Sequence, residues 1–171
     1  MRFTPAPLAG AFIVDVERFE DARGFFARTF CEQEFAAHGM AQRPMQSNVS
    51  FNAIRGTLRG MHFQRAPHAE AKLVRCTAGK IFDVIVDVRD DSPTCYQWFG
   101  IELDSQSRRA LYITEGFAHG FQTLTDATEV FYEMFNLFQP GYSDGLRWDD
   151  PALAIAALQQ KIQHGGPRPD R

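Results

Sequence analysis

The sequence predicts an all-β chain folded as an antiparallel sandwich or jelly roll with one or two short helices. Three observations carry that prediction: many short runs rich in Val, Ile, Phe and Thr, turn residues between them at regular intervals, and helical periodicity in a single stretch. In chain order, Ala11–Glu17 and Gly24–Phe30 read as strands separated by the turn Asp21-Ala-Arg-Gly24. Cys31–His38 is the exception, because Phe30, Glu34, Phe35 and His38 fall on one helical face. Gln42–Phe51 and Ala71–Thr77 return to the strand pattern, and Ala78-Gly79 turns the chain into Lys80–Arg89. Asp90-Asp-Ser-Pro93 precedes the strand Gln97–Leu103, Asp104-Ser-Gln-Ser107 precedes Arg108–Ile113, and Thr125-Asp126 separates Phe117–Leu124 from Thr128–Phe138. The stretch 159–171, ending in Gly-Gly-Pro-Arg-Pro, reads as an irregular tail.

Length and composition bound what this fold can be. A chain of 171 residues is the size of one domain, so 1–171 reads as a single unit that buries roughly 70% of its unfolded surface. With 44% hydrophobic and 23% charged residues and a net charge of -3, the composition is that of a soluble globular protein; a nucleic-acid wrapper would be basic. The opening Met-Arg-Phe-Thr-Pro-Ala-Pro has no sustained apolar run and no segment is long enough to span a bilayer, so the expected compartment is the cytoplasm and no membrane partner is expected. Cys31, Cys76 and Cys95 form no CxxC pair and read as core thiols. Arginine carries nearly all the positive charge, since the lysines are Lys72, Lys80 and Lys161 alone, and arginine suits bidentate phosphate recognition.

Against this background, Arg59-Gly-Met-His62-Phe63-Gln64, Lys72 and Glu115-Gly-Phe-Ala-His119-Gly stand out. They put two histidines, an arginine and a lysine on segments that otherwise read as core strands. An unpaired charge in an apolar layer costs several kcal/mol, so the group points to a lined cavity. Alternation sharpens the picture, because residues two apart share a face. Phe117, His119, Phe121 and Thr123 make one face, setting His119 among aromatics. Val130, Tyr132, Met134, Asn136 and Phe138 make another, on which Tyr132 and Phe138 look into one space about 20 Å apart if the strand is straight.

Small jelly rolls of the cupin type often hold a metal with three histidines and a glutamate, and the chain can be tested against that spacing. Gly56 is followed at the right distance by His62, but Gln64 stands where the second histidine belongs and Lys72 where the glutamate belongs. Glu115-Gly116-Phe-Ala-His119 keeps the second half of the pattern, with Thr114 for its proline. A metal needs three or four donors, so no metal site is expected.

At these residues the chain resembles a known family. Arg23-Gly-Phe-Phe26, Gln46-Ser-Asn48, Leu58-Arg59-Gly-Met-His62-Phe-Gln64, Lys72-Leu-Val-Arg-Cys, Gly79-Lys-Ile-Phe-Asp83-Val-Ile-Val-Asp87-Val-Arg, Ser92-Pro93-Thr94, Glu115-Gly-Phe-Ala-His119-Gly-Phe and Arg147-Trp-Asp-Asp-Pro151 look like the dTDP-4-dehydrorhamnose 3,5-epimerases of nucleotide-sugar synthesis. The match runs from about Pro7 to Pro151. The resemblance implies a metal-free, cofactor-independent cupin jelly roll, a homodimer whose N-terminal segment reaches toward the partner subunit, and a place in deoxysugar supply for surface polysaccharides. It implies a nucleoside-diphosphate 4-keto-6-deoxyhexose as substrate, most simply dTDP-linked, whose C3 and C5 protons are acidified by the neighbouring carbonyl. His62 is then the base, Lys72 the cation beside the enolate oxygen and Tyr132 the proton donor on the other face. By the same resemblance Arg23 and Arg59 lie near the diphosphate, Phe26 near the base, Gln46 and Asn48 along the nucleotide or sugar site, and His119 beside the sugar. Asp83 is placed either to orient His62 or Lys72 or to pair within the sheet.

Two departures from the family pattern matter. Leu137-Phe138-Gln139-Pro140 lacks the second tyrosine of a Tyr-x-Pro setting, so Phe138 stands where a phenol would touch the sugar and the choice between double and single inversion is open. Ala156-Ala157-Leu158 replaces the usual Trp-Pro, and the late aspartate that partners the catalytic histidine aligns with Asp170. The alternatives are a C3-only or C5-only epimerase, a nucleotide-sugar keto-isomerase and a non-catalytic sugar-binding cupin.

Overall fold

The computed structural model of the chain describes residues 1–40 and 43–155. Short strands dominate them: β1 (Arg2–Pro5), β2 (Phe12–Asp15), β3 (Arg18–Asp21), β4 (Gly24–Ala27), β5 (Gln46–Asn52), β6 (Leu58–Gln64), β7 (Lys72–Ala78), β8 (Lys80–Asp87), β9 (Trp98–Asp104), β10 (Ala110–Ile113), β11 (Phe117–Thr123), β12 (Thr128–Met134) and β13 (Ser143–Gly145). One helix, α1 (Glu32–Ala36), and a single 3₁₀ turn at Pro140–Tyr142 complete the described elements. All strand pairings are antiparallel. They form a six-stranded sheet in the order β1-β2-β10-β7-β12-β5, a five-stranded sheet in the order β13-β6-β11-β8-β9, and the separate hairpin β3-β4.

Alternation explains why the two large sheets stack. Val74, Cys76, Leu111, Ile113 and Val130 of the first sheet meet Ile81, Ile85, Leu103, Phe117 and Phe121 of the second in one buried layer. The opposite faces are covered too. Helix α1 has five residues, too few to be stable alone, and is held by Phe35, which is fully buried among Phe3, Phe30 and Tyr112. On the other side Leu153 and Ile155 close over Met61, Val84, Val86 and Ala118. The jelly roll and its short helix are as the sequence predicts.

Three strands escape the sequence reading, β1, β3 and β13. They are three or four residues long and mostly exposed, so no buried face imposes alternation on them. The reading Thr128–Phe138 also runs too far, since the strand ends at Met134. Asn136 is the reason: its Oδ1 accepts the N–H of Leu137 at 2.9 Å and its Nδ2 donates to Ala69 O at 3.1 Å, which gives the backbone an alternative to the ladder. The chain therefore bends, and Phe138 returns toward Tyr132 instead of standing a full strand length away. Gln42, Asp170, the replaced segment Ala156-Ala157-Leu158 and the irregular tail read at 159–171 lie outside the described residues.

Candidate active site

The two sheets part at one end of the core and leave a cavity of about 370 Å³. Its walls bring together Arg59 and His62 of β6, Lys72 of β7, His119 of β11 and Tyr132 of β12, with Phe138 at the loop that follows β12. Phe121 and Tyr132 link the cavity to the apolar layer beneath it. The sequence expectation of a polar-lined cavity on core strands holds for these residues.

A bulge aims two of them. His119 pairs with His62 and Phe121 with Arg59, so β6 carries one residue more than β11 over this interval. Residues three apart on a regular strand face opposite ways, but the extra residue turns Arg59 and His62 to the same side. Gly60 makes the bulge possible. Its φ is +102°, and a Cβ there would lie 2.5 Å from the Gly120 Cα and the His119 carbonyl.

The ionisable groups differ in how they are held. His62 is exposed to the cavity and its ring has no hydrogen-bond partner among the described residues. Partial desolvation by the walls lowers its pKa from the ordinary 6.5, and the nearby Lys72 and His119 push the same way. His119 is fixed, because its Nε2 lies 2.9 Å and 3.1 Å from the carboxylate oxygens of the buried Asp83 on β8. Asp83 thus pairs within its sheet, and the structure does not use it to orient His62 or Lys72. Tyr132 is half-buried, and its hydroxyl also lacks a partner among the described residues; burial raises its pKa, with Arg59 opposing. Arg59 donates from Nε to Asn52 Oδ1 at 3.1 Å, tying the two sheets together at the cavity rim.

Lys72 is buried and ion-paired with Glu70, whose other oxygen accepts the backbone N–H of Gln64 at 3.0 Å. Gln64, which stands where a metal-binding histidine would, braces two loops instead. Its Nε2 donates to the carbonyls of His68 at 2.9 Å and Leu137 at 3.2 Å, and its Oε1 accepts the N–H of Gln139 at 2.5 Å. Among the described residues no three His, Cys, Asp or Glu side chains come together to hold a metal ion.

Four sequence candidates are placed off the cavity wall. Gln46 and Asn48 lie on the inward face of β5, where Gln46 donates to Asn48 Oδ1 at 2.9 Å and accepts the N–H of Phe138 at 3.3 Å, so it tethers the Phe138 loop. Arg23 sits in the turn of the β3–β4 hairpin, paired with Asp21 at 2.6 Å, and Phe26 on β4 is 71% exposed. Conversely, sequence reasoning missed Glu70, Ser50 and Asn52. Glu70 had a signal, since it lies two residues before Lys72 and the same face of an extended segment is shared at that spacing.

The fold and this cavity define a jelly-roll protein of the cupin class with a cavity lined by titratable side chains between its sheets. Comparison with known proteins gives the particular family. The family model described as dTDP-4-dehydrorhamnose 3,5-epimerase matches residues 5–164, and the chain belongs to that family. It is 45% identical to the dTDP-4-dehydrorhamnose 3,5-epimerase of Methanothermobacter thermautotrophicus, over 90% of this chain and 82% of the relative. It is 39% identical to the dTDP-4-dehydrorhamnose 3-epimerase of Streptomyces niveus, over 91% of this chain and 75% of that one. The crystal structure of the 3,5-epimerase from Bacillus anthracis with TDP and PPi bound superposes with a TM-score of 0.87 at 38% identity, covering 90% of this chain and 88% of the other.

Proposed function

We propose that this chain epimerises a nucleoside-diphosphate 4-keto-6-deoxyhexose, with dTDP as the nucleotide and C3 and C5 as the inverted centres. One observation carries the reading: His62 from the five-stranded sheet and Tyr132 from the six-stranded sheet face one cavity, both without hydrogen bonds to described residues, with Lys72 buried on the same wall system. The C4 carbonyl acidifies the protons at C3 and C5. His62, biased toward the neutral imidazole by desolvation and by its cationic neighbour, removes such a proton. The Lys72 ammonium stabilises the enolate oxygen. Tyr132, kept protonated by burial, returns a proton from the other sheet, and delivery to the opposite face is what inverts the carbon. His119, held by Asp83, faces the sugar, and Arg59 presents the rest of its guanidinium to the diphosphate. The TDP in the B. anthracis relative supports the choice of nucleotide.

Arg23 and Phe26 serve the site through a second copy of the chain. Phe19 and Phe26 are cross-strand partners on the hairpin and are 69% and 71% exposed, while Val49 and Phe51 on the edge strand β5 are each 59% exposed. Apolar residues grouped this way mark an interaction surface, and a homodimer that inserts the hairpin toward its partner's cavity buries them. Gln46 and Asn48 act from behind the wall, by holding the Phe138 loop. Asp170 is assigned to orient His62, and the compartment is the cytoplasm.

Incubation with dTDP-4-keto-6-deoxyglucose in D₂O tests the reading. Deuterium at C3 and C5 is expected. Exchange at one carbon favours the second reading, a single-centre epimerase, to which Phe138 on the cavity wall and the S. niveus 3-epimerase both point. No exchange with dTDP-, CDP- or GDP-linked substrate would sink both.

A further inference from the structure

Glu70 has no part in the chemistry assigned above, yet its side chain is 3% exposed on the cavity wall, where an idle carboxylate would be costly. We propose that Glu70 is the positioning residue of Lys72: its carboxylate, pinned by the backbone N–H of Gln64, holds the Lys72 ammonium in place inside the cavity. The inference rests on the epimerase reading for its catalytic meaning, and on geometry alone for the rest.

The geometry has three parts. Lys72 has a side-chain exposure of 11%, and a buried ammonium needs a counter-ion to offset its lost hydration. Glu70 supplies that counter-ion from two residues upstream, on a segment whose Ala71 carbonyl accepts the N–H of Phe135 at 3.0 Å and is thereby fixed. The carboxylate itself cannot drift, because one oxygen takes the Gln64 N–H from β6 while the other takes Lys72 from β7. It therefore bridges the two sheets at the point where the cavity opens. The other charged and titratable groups facing this pair are Arg59 and His62 from β6, His119 from β11 and Tyr132 from β12. Asp83 of β8 is engaged by His119 and faces neither Lys72 nor Glu70 with a bond. Glu70 is thus the carboxylate that the described wall gives to Lys72.

Glu70→Gln keeps the side chain's shape and an oxygen for the Gln64 N–H while removing the charge. The expected result is a kcat lowered about 10- to 100-fold with KM within about threefold, since a displaced ammonium fails the transition state and not the bound substrate. Glu70→Asp, which restores the charge one methylene short, recovers part of that kcat. A second readout needs no turnover. The chain has lysines only at 72, 80 and 161, so a ¹³C-labelled Lys72 side chain can be assigned with Lys72→Arg and its mobility read by NMR relaxation. The Lys72 Cε is expected to become more mobile in Glu70→Gln; if that variant does not fold, a smaller gain is read in Glu70→Asp, whose carboxylate falls one methylene short. A Lys72 side chain as ordered as in wild type overturns the proposal, whatever the loss of rate. A wild-type protein that exchanges no substrate proton while Lys72 still gains mobility in Glu70→Gln overturns the epimerase reading and leaves the role of Glu70 toward Lys72 standing.

Discussion

The far end of β8 and the cavity both place polar side chains on strands that are otherwise apolar, and they treat them in opposite ways. Asp87 is fully buried, and every lone pair it offers is taken: Oδ1 accepts from Arg89 Nε at 2.9 Å and Arg89 N at 3.1 Å, and Oδ2 from an Arg89 terminal nitrogen at 2.7 Å and from the Ser92 and Thr94 hydroxyls at 2.6 Å each. Burial alone would raise its pKa, but these donors outweigh it and hold the carboxyl far below the usual range. His62 and Tyr132 are on core strands as well, yet their polar atoms face the cavity without a described partner. A carboxylate saturated by its own loop has nothing left to offer a ligand. An imidazole and a phenol left open across a cavity have their bonding capacity in reserve for one.

Substitution at the two places should therefore fail in different currencies. His62→Ala is expected to cut kcat by about a thousandfold, near 4 kcal/mol of barrier, because general-base catalysis contributes on that scale. Its melting temperature should stay within a degree or two and its affinity for dTDP should remain, as isothermal calorimetry can check. A variant that loses binding and stability together would place His62 with the structural histidines. Asp87→Ala is the mirror case. Removing a buried, fully bonded carboxylate is expected to cost about 3 kcal/mol of stability in urea denaturation, with kcat per folded molecule unchanged. A selective loss of kcat there would erase the contrast.

The pH responses separate as well. The folded pKa of Asp87 is depressed, so its stabilisation is complete above the unfolded value of 3.8 and fades as the pH falls through the folded value. Thermal scans of wild type should lose this contribution only below about pH 4, and Asp87→Asn should flatten that part of the curve. His62 acts on activity in a higher window. Its lowered pKa predicts an acid limb of kcat/KM below pH 6.5, and Lys72→Met, by removing a neighbouring positive charge, should move that limb upward while the desolvation by the walls remains. A limb that stays in place in Lys72→Met would assign it to another group.

Most of the fold was legible because buried strands obey alternation, and so were Arg59, His62, Lys72 and His119, whose polarity broke it; Tyr132 reads as an ordinary strand residue and was picked out only by the family resemblance. The misses have physical reasons. β1, β3 and β13 lack a buried face, so no pattern marks them. The same orientation of Arg59 and His62 depends on a bulge at Gly60, and a single glycine in a strand does not announce which side its neighbours will take. Arg23 and Phe26 lie off the cavity wall, on a hairpin whose exposed side chains carry no pattern that says what they contact. Glu70 and Asn52 look like ordinary polar residues until the two sheets are stacked and their partners, Lys72 and Arg59, are seen to arrive from elsewhere.

Phe138 gives the smallest expected effect and the finest test of saturated against open groups. Its loop is fastened from behind, by Gln46 on the Phe138 N–H at 3.3 Å and by Gln64 on the Leu137 carbonyl and the Gln139 N–H, so the ring's place at the cavity is set by backbone bonds and not by the ring itself. The ring is half exposed, and Phe138→Tyr adds a hydroxyl at the rim without disturbing packing. One further hydrogen bond to the sugar contributes about 0.5–1.5 kcal/mol, which predicts a KM lowered roughly 2- to 10-fold or a matching shift in the ratio of deuterium entering C3 and C5, at unchanged melting temperature. The direction of the isotope shift reports which carbon the missing phenol governs. Should neither KM nor the ratio move, the hydroxyl has no partner at this rim, and Phe138 does not set the number of carbons inverted.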